Sequence, residues 1–161
     1  MRHAHAFTLI ELMVVVAIIA ILAFMAMPSM LDGVIRKQIR EGIALADIAE
    51  VAVQRIYQNT GELPSDNKAA GLPDKDRIVG NVVQEIAVDH GAVTVLFGNN
   101  SNSALKGKRI TMIPAVVTGE PTVPIAWKCN GARIPGKMTA MGRNLTDVPA
   151  GILPIECRLP G

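Results

Sequence analysis

This sequence is constrained most strongly by the run Phe7-Thr8-Leu9-Ile10-Glu11-Leu12-Met13-Val14-Val15-Val16-Ala17-Ile18. From Leu12 to Leu31 no residue is charged, and such a segment spans about 30 Å as a helix that rises 1.5 Å per residue. This length matches the hydrocarbon core of a bilayer. Residues 7–31 therefore predict a transmembrane helix, and a helix that is apolar on every side also suits the centre of a helix bundle.

Glu11 is the charged residue within this apolar region, and no further charge follows until Asp32. A charge at the middle of a membrane helix costs roughly 2.5–3.5 kcal/mol on insertion scales. The position of Glu11 therefore predicts a functional carboxylate with a cationic partner. The alternative is an ordinary anchor helix, in which an acidic side chain near the helix end reaches the membrane surface.

The overall composition limits the classes of function. A chain of 161 residues is long enough for one domain with a modest core, and its net charge of +2 is too small to indicate nucleic acid or an acidic substrate. The two cysteines, Cys129 and Cys157, lie late in the chain. Because the apolar N-terminal segment indicates export, a disulfide between them is plausible, and two free buried thiols are the alternative.

A second helical pattern follows the apolar segment. Apolar residues recur on one face of a 3.6-residue helix at Ile35, Ile39, Ile43, Ala46, Ala49, Val53 and Ile56. Asn59-Thr60-Gly61 and Pro64 predict its end. We expect one helix from about residue 7 to about residue 59, on the order of 80 Å long. Its first half needs partners in lipid or in other chains, and its second half is expected to pack on a sheet.

The remaining sequence predicts strands joined by short turns. The strand candidates are Gly80–Val88, Ala92–Phe97, Ile110–Val117 and Val123–Lys128, and the first two flank the hairpin turn Asp89-His90-Gly91. Proline favours sheet edges and strand starts, which makes Pro114 and Pro124 unusual within the last two strands. The pattern predicts an α+β fold in which the long helix packs on a roughly four-stranded antiparallel sheet.

The N-terminal run, read from Ala6 to Ile18, resembles the class III signal of type IV pilins and of related secretion-system proteins. The resemblance implies that prepilin peptidase removes residues 1–6 by cleaving between Ala6 and Phe7, and that it methylates the new amino group of Phe7. It also implies that Glu11 pairs with the N-terminal amine of a neighbouring subunit, and that Pro28 is the family's kinking proline. Ala6 and Ala20 stand where the family often has glycine.

The resemblance covers most of the chain. Further segments similar to pilins are Gly61–Asn67 with Ala70-Gly71-Leu72, Val93–Asn100, Ala104–Lys108 and Ile125–Cys129. It implies a leader at residues 1–6, a filament-core half of the helix at 7–31 and a globular domain at 32–161. Within that domain it implies an exposed loop at 60–78, a sheet at 79–129 and a region 129–157 bounded by a Cys129–Cys157 disulfide.

The sequence contains no recognisable catalytic set, cofactor motif or metal site. His3 and His5 lie in the leader, His90 lies in a turn, and the cysteines lack the CxxC spacing of zinc sites. The basic residues form a cluster and a scatter: Lys106, Lys108 and Arg109, and then Lys128, Arg133, Lys137 and Arg143. Repeated along a filament, they offer weak binding to DNA or to an anionic surface, and an ordinary solvated surface is the alternative.

These observations predict a structural protein rather than an enzyme. The resemblance implies a homopolymeric type IV pilus subunit that is held in the inner membrane, assembled by an inner-membrane platform and displayed as an extracellular pilus of a Gram-negative bacterium. Twitching motility, adhesion and DNA uptake are the functions it implies. The alternatives are a minor pilin or type II secretion pseudopilin, and a membrane-anchored periplasmic binding module.

Overall fold

The structure is a computed structural model that describes residues 8–158, with side chains described for 8–25 and 32–158. The chain divides into two compact units, of which one ends at Val34 and the other runs from Ile35 to Gly161. One long helix, α1, contributes to both units.

Helix α1 runs from Leu9 to Thr60, close to the predicted bounds. At its start the Glu11 N–H donates to Thr8 Oγ1 at 3.3 Å, and the Leu12 N–H donates to the Thr8 carbonyl at 3.2 Å, so Thr8 is the N-cap. At its end Gly61 has φ 76° and donates its N–H to the Tyr57 carbonyl at 2.8 Å. A left-handed glycine is the usual residue that stops a helix in this way.

The predicted apolar face of α1 is confirmed as the side that packs on the sheet. Ile39, Ala46, Ala49 and Val53 are completely buried, and Ile43 packs partly against the same core. Buried apolar residues from the second half of the chain complete this core, among them Val82, Val83, Ile86, Val93, Val95, Phe97, Ile110 and Met112. Burying such side chains contributes most of the stability of a domain of this size.

The sheet is an antiparallel meander, as predicted. Its strands are β1 (Val83–Asp89), β2 (Ala92–Phe97), β3 (Arg109–Val116) and β4 (Ala126–Cys129), in the order β1-β2-β3-β4. A fifth strand, β5 (Thr139–Ala140), pairs with β3 outside this order. Between β1 and β2, both residues of the His90-Gly91 turn have positive φ, at 48° and 83°, which suits the right-handed twist of a hairpin.

Two predicted strand starts differ from the structure by three residues, and the structure contains one further strand. The first strand begins at Val83 rather than Gly80, because the Gly80 N–H donates to the Val83 carbonyl and closes a turn. The fourth begins at Ala126 rather than Val123, because the Val123 N–H is used in a turn to the Glu120 carbonyl. Strand β5 was not predicted, since two exposed residues carry no hydrophobic alternation.

Pro114 lies inside β3, which has β2 on one side and β4 on the other. This is neither the edge strand nor the strand start that its residue type favours. The pairing explains why the position tolerates proline: β2 pairs with β3 only from Arg109 to Met112, so Pro114 lies beyond the end of that ladder. The missing N–H therefore costs no hydrogen bond to β2.

Candidate functional site

The first part of α1 is apolar and uncovered on every side. We call residues 8–25, all of which are exposed, the assembly segment. Leu9 is 78% exposed and Phe24 is 80% exposed, and the large apolar side chains between them are also largely accessible. A contiguous apolar surface of this extent marks a site for a partner or a membrane.

Glu11 lies in the first turn of this segment, three residues after the N-cap Thr8. A threonine followed three residues later by glutamate is the capping-box pattern, and a carboxylate there also interacts favourably with the positive end of the helix dipole. Among the residues whose side chains are described, 8–25 and 32–158, the Glu11 carboxylate forms no ion pair. The Thr-x-x-Glu spacing is the sequence signal for this cap, which the charge of Glu11 alone does not reveal.

The other predicted assembly residues lie partly beyond what the structure describes. Ala6 and Phe7 precede the described residues, and Pro28 lies within α1 at a position whose side chain is not described. Their roles in cleavage, methylation and helix kinking stay predictions. No helix among the described residues is long and apolar enough to cross a membrane. The predicted transmembrane segment 7–31 is only partly covered by this finding, because the structure does not describe residue 7 or the side chains of 26–31.

The predicted disulfide is confirmed, because Cys129 at the end of β4 is bonded to Cys157. Beside it Asn130 Nδ2 donates to the Cys157 carbonyl at 3.1 Å, and Arg40 Nε of α1 lies 3.3 Å from Glu156 Oε1. A backbone hydrogen bond to Glu156 lowers the pKa of its carboxyl, and the hydrogen bond and charge of Arg40 lower this pKa further. Desolvation of the Glu156 carboxyl acts in the opposite direction. The disulfide therefore joins the C-terminal region to the sheet next to the helix.

The chain between the two cysteines is also held to β3 by side chains. The Leu145 N–H donates to Thr111 Oγ1 at 3.1 Å, and the Thr111 N–H donates to Thr146 Oγ1 at 3.0 Å. The Arg109 N–H donates to the Asp147 carboxylate. These contacts support the prediction that this region fastens the C-terminus to the sheet.

The loop between α1 and β1 is largely exposed, and a buried asparagine anchors it. Asn67 Oδ1 accepts a hydrogen bond from the Val88 N–H at 2.7 Å. Its Nδ2 donates to the Ile86 carbonyl at 3.0 Å and to the Pro73 carbonyl at 3.2 Å. Asn67 thus satisfies backbone groups on the outer edge of β1 that would otherwise lack partners.

The remaining candidates do not form a reactive centre. The His90 ring lies in the exposed hairpin turn, with Nδ1 2.6 Å from Asp89 Oδ1. The described residues include no group of three or more histidine, cysteine, aspartate or glutamate side chains able to hold a metal ion. Lys106 and Arg109 are exposed and Lys108 is half-buried, which keeps the basic cluster at the surface.

Three features define the class of this protein. The helix has an exposed apolar start, an antiparallel sheet packs on its second part, and a disulfide closes the C-terminal region. Together they define a pilin-like class of protein. The family model "Pilin (bacterial filament)" matches residues 36–158, and "Prokaryotic N-terminal methylation motif" matches residues 1–27. The chain belongs to the pilin family.

Three relatives illustrate the similarity. "Type IV major pilin protein PilE1" of Neisseria gonorrhoeae is 35% identical over 159 residues, covering 94% of this chain and 86% of the relative. "Fimbrial protein" of Neisseria meningitidis serogroup A is 43% identical over 107 residues, covering 66% of this chain and 63% of the relative. "Fimbrial protein EcpC" of Eikenella corrodens is 35% identical over 127 residues, covering 77% of this chain and 80% of the relative.

Proposed function

We propose that this chain is a structural subunit of a type IV pilus and polymerises with copies of itself. The observation that carries the proposal is the assembly segment, whose apolar side chains are exposed on every side of the helix. Such a surface is stable only in a membrane or against other apolar helices. A pilus subunit uses both environments in turn, the inner membrane before assembly and the filament core afterwards.

Processing by prepilin peptidase belongs to this proposal. The enzyme cleaves between Ala6 and Phe7 and methylates the Phe7 amine, and the match of residues 1–27 to the N-terminal methylation motif supports this step. An inner-membrane assembly platform then adds the subunit to an extracellular pilus of a Gram-negative bacterium. Pro28 interrupts the helical hydrogen bonding at the end of the apolar segment.

Glu11 acts in this proposal as the partner of an incoming N-terminus. The Phe7 ammonium of one subunit and the Glu11 carboxylate of the next neutralise each other, whereas either charge alone would be costly in an apolar core. The absence of an ion pair at Glu11 among the described side chains is consistent with a partner on another copy.

Two other functions are less well supported. A minor pilin or type II secretion pseudopilin shares the N-terminal motif, but the relatives that match most of this chain are named major pilins or fimbrial proteins. A membrane-anchored periplasmic binding module explains the apolar helix and leaves the methylation motif without a purpose. Motility, adhesion, DNA uptake and weak binding to anionic surfaces are proposed roles of the assembled filament.

An intact mass of the protein sheared from the cell surface tests the proposal. We expect a chain that starts at Phe7, with the mass of one added methyl group and the loss of two hydrogens for the disulfide. A chain that starts at Met1, or the absence of this protein from sheared filaments, would contradict it.

The role of Glu11 is tested by separating its charge from its position in the capping box. Glutamine serves equally well at this position of the box, so Glu11→Gln retains the cap and removes the charge. We expect Glu11→Gln to reduce sheared pili by more than about tenfold, since breaking a desolvated charge pair is strongly unfavourable, while the membrane pool persists. Normal piliation in Glu11→Gln together with loss in Thr8→Ala would instead assign these residues to capping.

A further inference from the structure

A small cavity opens between the second half of α1 and strand β4. Its volume is about 270 Å³, and we call it the Glu50 pocket. It is lined by Asp47, Glu50, Val51, Gln54, Arg55 and Gln58 of the helix and by Trp127 of the strand. All of these residues belong to the unit that runs from Ile35 to Gly161.

The central feature of the pocket is Glu50, whose side chain is largely buried while its carboxylate oxygens remain accessible through the pocket. Glu50 is only 9% exposed, yet among the described residues its side chain takes part in no hydrogen bond or ion pair. Burial, and then the neighbouring charge of Asp47, raises the pKa of Glu50 to about 7. A carboxylate that is desolvated in this way destabilises the isolated subunit when it is ionised, and a cationic partner in the pocket would offset that cost.

The cationic groups near the pocket do not supply this partner. Arg55 lines the pocket, but no ion pair within the described residues joins it to Asp47 or Glu50. Its Nη2 lies 4.0 Å from the place that a Cβ on Gly71 would take, so the guanidinium is directed to the loop. Lys128 of β4 lines the neighbouring cavity that shares Trp127. The two carboxylates of the pocket, Asp47 and Glu50, are therefore not joined by an ion pair to the one arginine that lines it.

The surroundings of the pocket suit a protein partner rather than a free ion. Val51 lines the pocket and is 63% exposed, and Ile48 on the same stretch of helix is 55% exposed. The half-buried indole of Trp127 adds an aromatic wall, and aromatic side chains with arginine or lysine are typical of interface anchor sites. Apolar groups around a desolvated charge exclude water and strengthen its pairing.

We propose that the Glu50 pocket receives a lysine or arginine side chain from a second copy of this chain in the assembled filament. Glu50 and Asp47 bind the cationic group, and Trp127 and Val51 pack against its aliphatic stem. The inference rests on the proposed function, because only a polymer brings a second copy to this surface. Charge complementarity supports this occupant, since Lys106, Arg133 and Lys137 are exposed and form no ion pair within the described residues.

Trp127 gives a direct measurement, because it is the single tryptophan of the chain. We would compare acrylamide quenching of its fluorescence in sheared wild-type filaments and in the same filaments dispersed in detergent. We expect the quenching constant to be lower in filaments, because the side chain from the second copy covers the pocket. Equal quenching in the two states would overturn the proposal, even though the filaments themselves would still support the pilus function.

Charge removal at Glu50 then tests the chemistry. Glu50→Gln retains shape and removes only the charge, and Glu41→Gln is the matched control, since Glu41 is an exposed residue of α1 outside the pocket lining. We expect Glu50→Gln to reduce sheared filaments by more than about tenfold, as for other buried interfacial charge pairs, and Glu41→Gln to leave them unchanged. Equal yields from the two variants would overturn the proposal.

The remaining outcomes separate this inference from the proposed function. Absence of wild-type filaments would refute the pilus function itself. Two further outcomes would overturn the inference by identifying a small ligand as the occupant. In the first, Trp127 is already shielded from acrylamide in dispersed subunits. In the second, shielding appears only when a small cation such as spermidine is added.

Discussion

At the scale of single residues, two buried polar side chains of this protein behave in opposite ways. Asn67 is 9% exposed and satisfies three backbone groups, so its burial stabilises the loop before β1. Glu50 is equally buried and has no partner within the described residues. A satisfied buried amide favours the fold, whereas an unsatisfied buried carboxylate opposes it whenever it is ionised.

The pH dependence of stability follows from the raised pKa of Glu50. Below pH 4.5 the carboxyl is protonated in both folded and unfolded chains and costs nothing. Between pH 4.5 and about 7 only the unfolded chain ionises, so stability falls as the pH rises, by up to about 3 kcal/mol, and then levels off. We therefore expect Glu50→Gln to stabilise the full chain at pH 8 and to have little effect at pH 4.

Denaturant unfolding of the detergent-solubilised chain at both pH values measures this difference through Trp127 fluorescence. Glu41→Gln is the control, because Glu41 is exposed and its substitution should change stability by less than about 0.5 kcal/mol at either pH. A Glu50→Gln variant that is less stable than wild type at pH 8 would show that the carboxylate is paired.

At the scale of secondary-structure elements, the approach of α1 to the sheet depends on a glycine. Gly42 is a buried residue of the helix, and a Cβ added there would lie 2.6 Å from Cε1 of Phe97 in β2. Phe97 is completely buried, so a shift of its ring would disturb the core. Glycine lowers the helix propensity at position 42, but its lack of a side chain allows α1 to pack closely on β2.

We expect Gly42→Val to destabilise the folded chain by about 1–3 kcal/mol, the usual cost of overpacking a core. Gly33→Val is the matched control, because none of the described side chains lies within 4 Å of the added Cβ at that position. Denaturant unfolding of both variants in detergent checks the expectation. Equal stabilities would mean that the core adjusts to the added side chain without cost.

At the scale of the whole molecule, the disulfide compensates for a long segment with little regular structure. Cys129 and Cys157 are 28 positions apart, and between them the structure has only the two-residue strand β5 and the start of a short 3₁₀ turn. Closing a loop of this length stabilises a protein by about 3–4 kcal/mol in the chain-entropy model. Hydrogen bonds to β3 then fix the position of the closed loop.

Replacement of both cysteines by serine should therefore lower the free energy of unfolding by about 3–4 kcal/mol. The measurement is denaturant unfolding of the full chain with and without dithiothreitol. The reductant should lower the stability of the wild type to that of the double variant and leave the variant unchanged. A wild type that is insensitive to complete reduction would show that the hydrogen bonds to β3 hold the region alone.

The features that could be predicted from the sequence are those set by local periodicity and residue chemistry. The apolar face of α1, the His90-Gly91 hairpin and the meander follow from spacings within a few residues, and each is present in the structure. The cysteine pairing required the family resemblance as well, because two cysteines in a sequence do not specify a bond.

Other features depend on residues that are remote in sequence and become neighbours only after folding. Glu50 resembles an ordinary polar position of a helix until folding places it in a pocket that Trp127 of β4 also lines. Gly42 resembles a weak helix position until Phe97 packs against it. Pro114 lies within β3 at a point that only the fold shows to be beyond the end of the ladder with β2. Periodicity describes one element at a time, whereas burial and pairing arise between elements, and for this reason the Glu50 pocket could be recognised only in the folded chain.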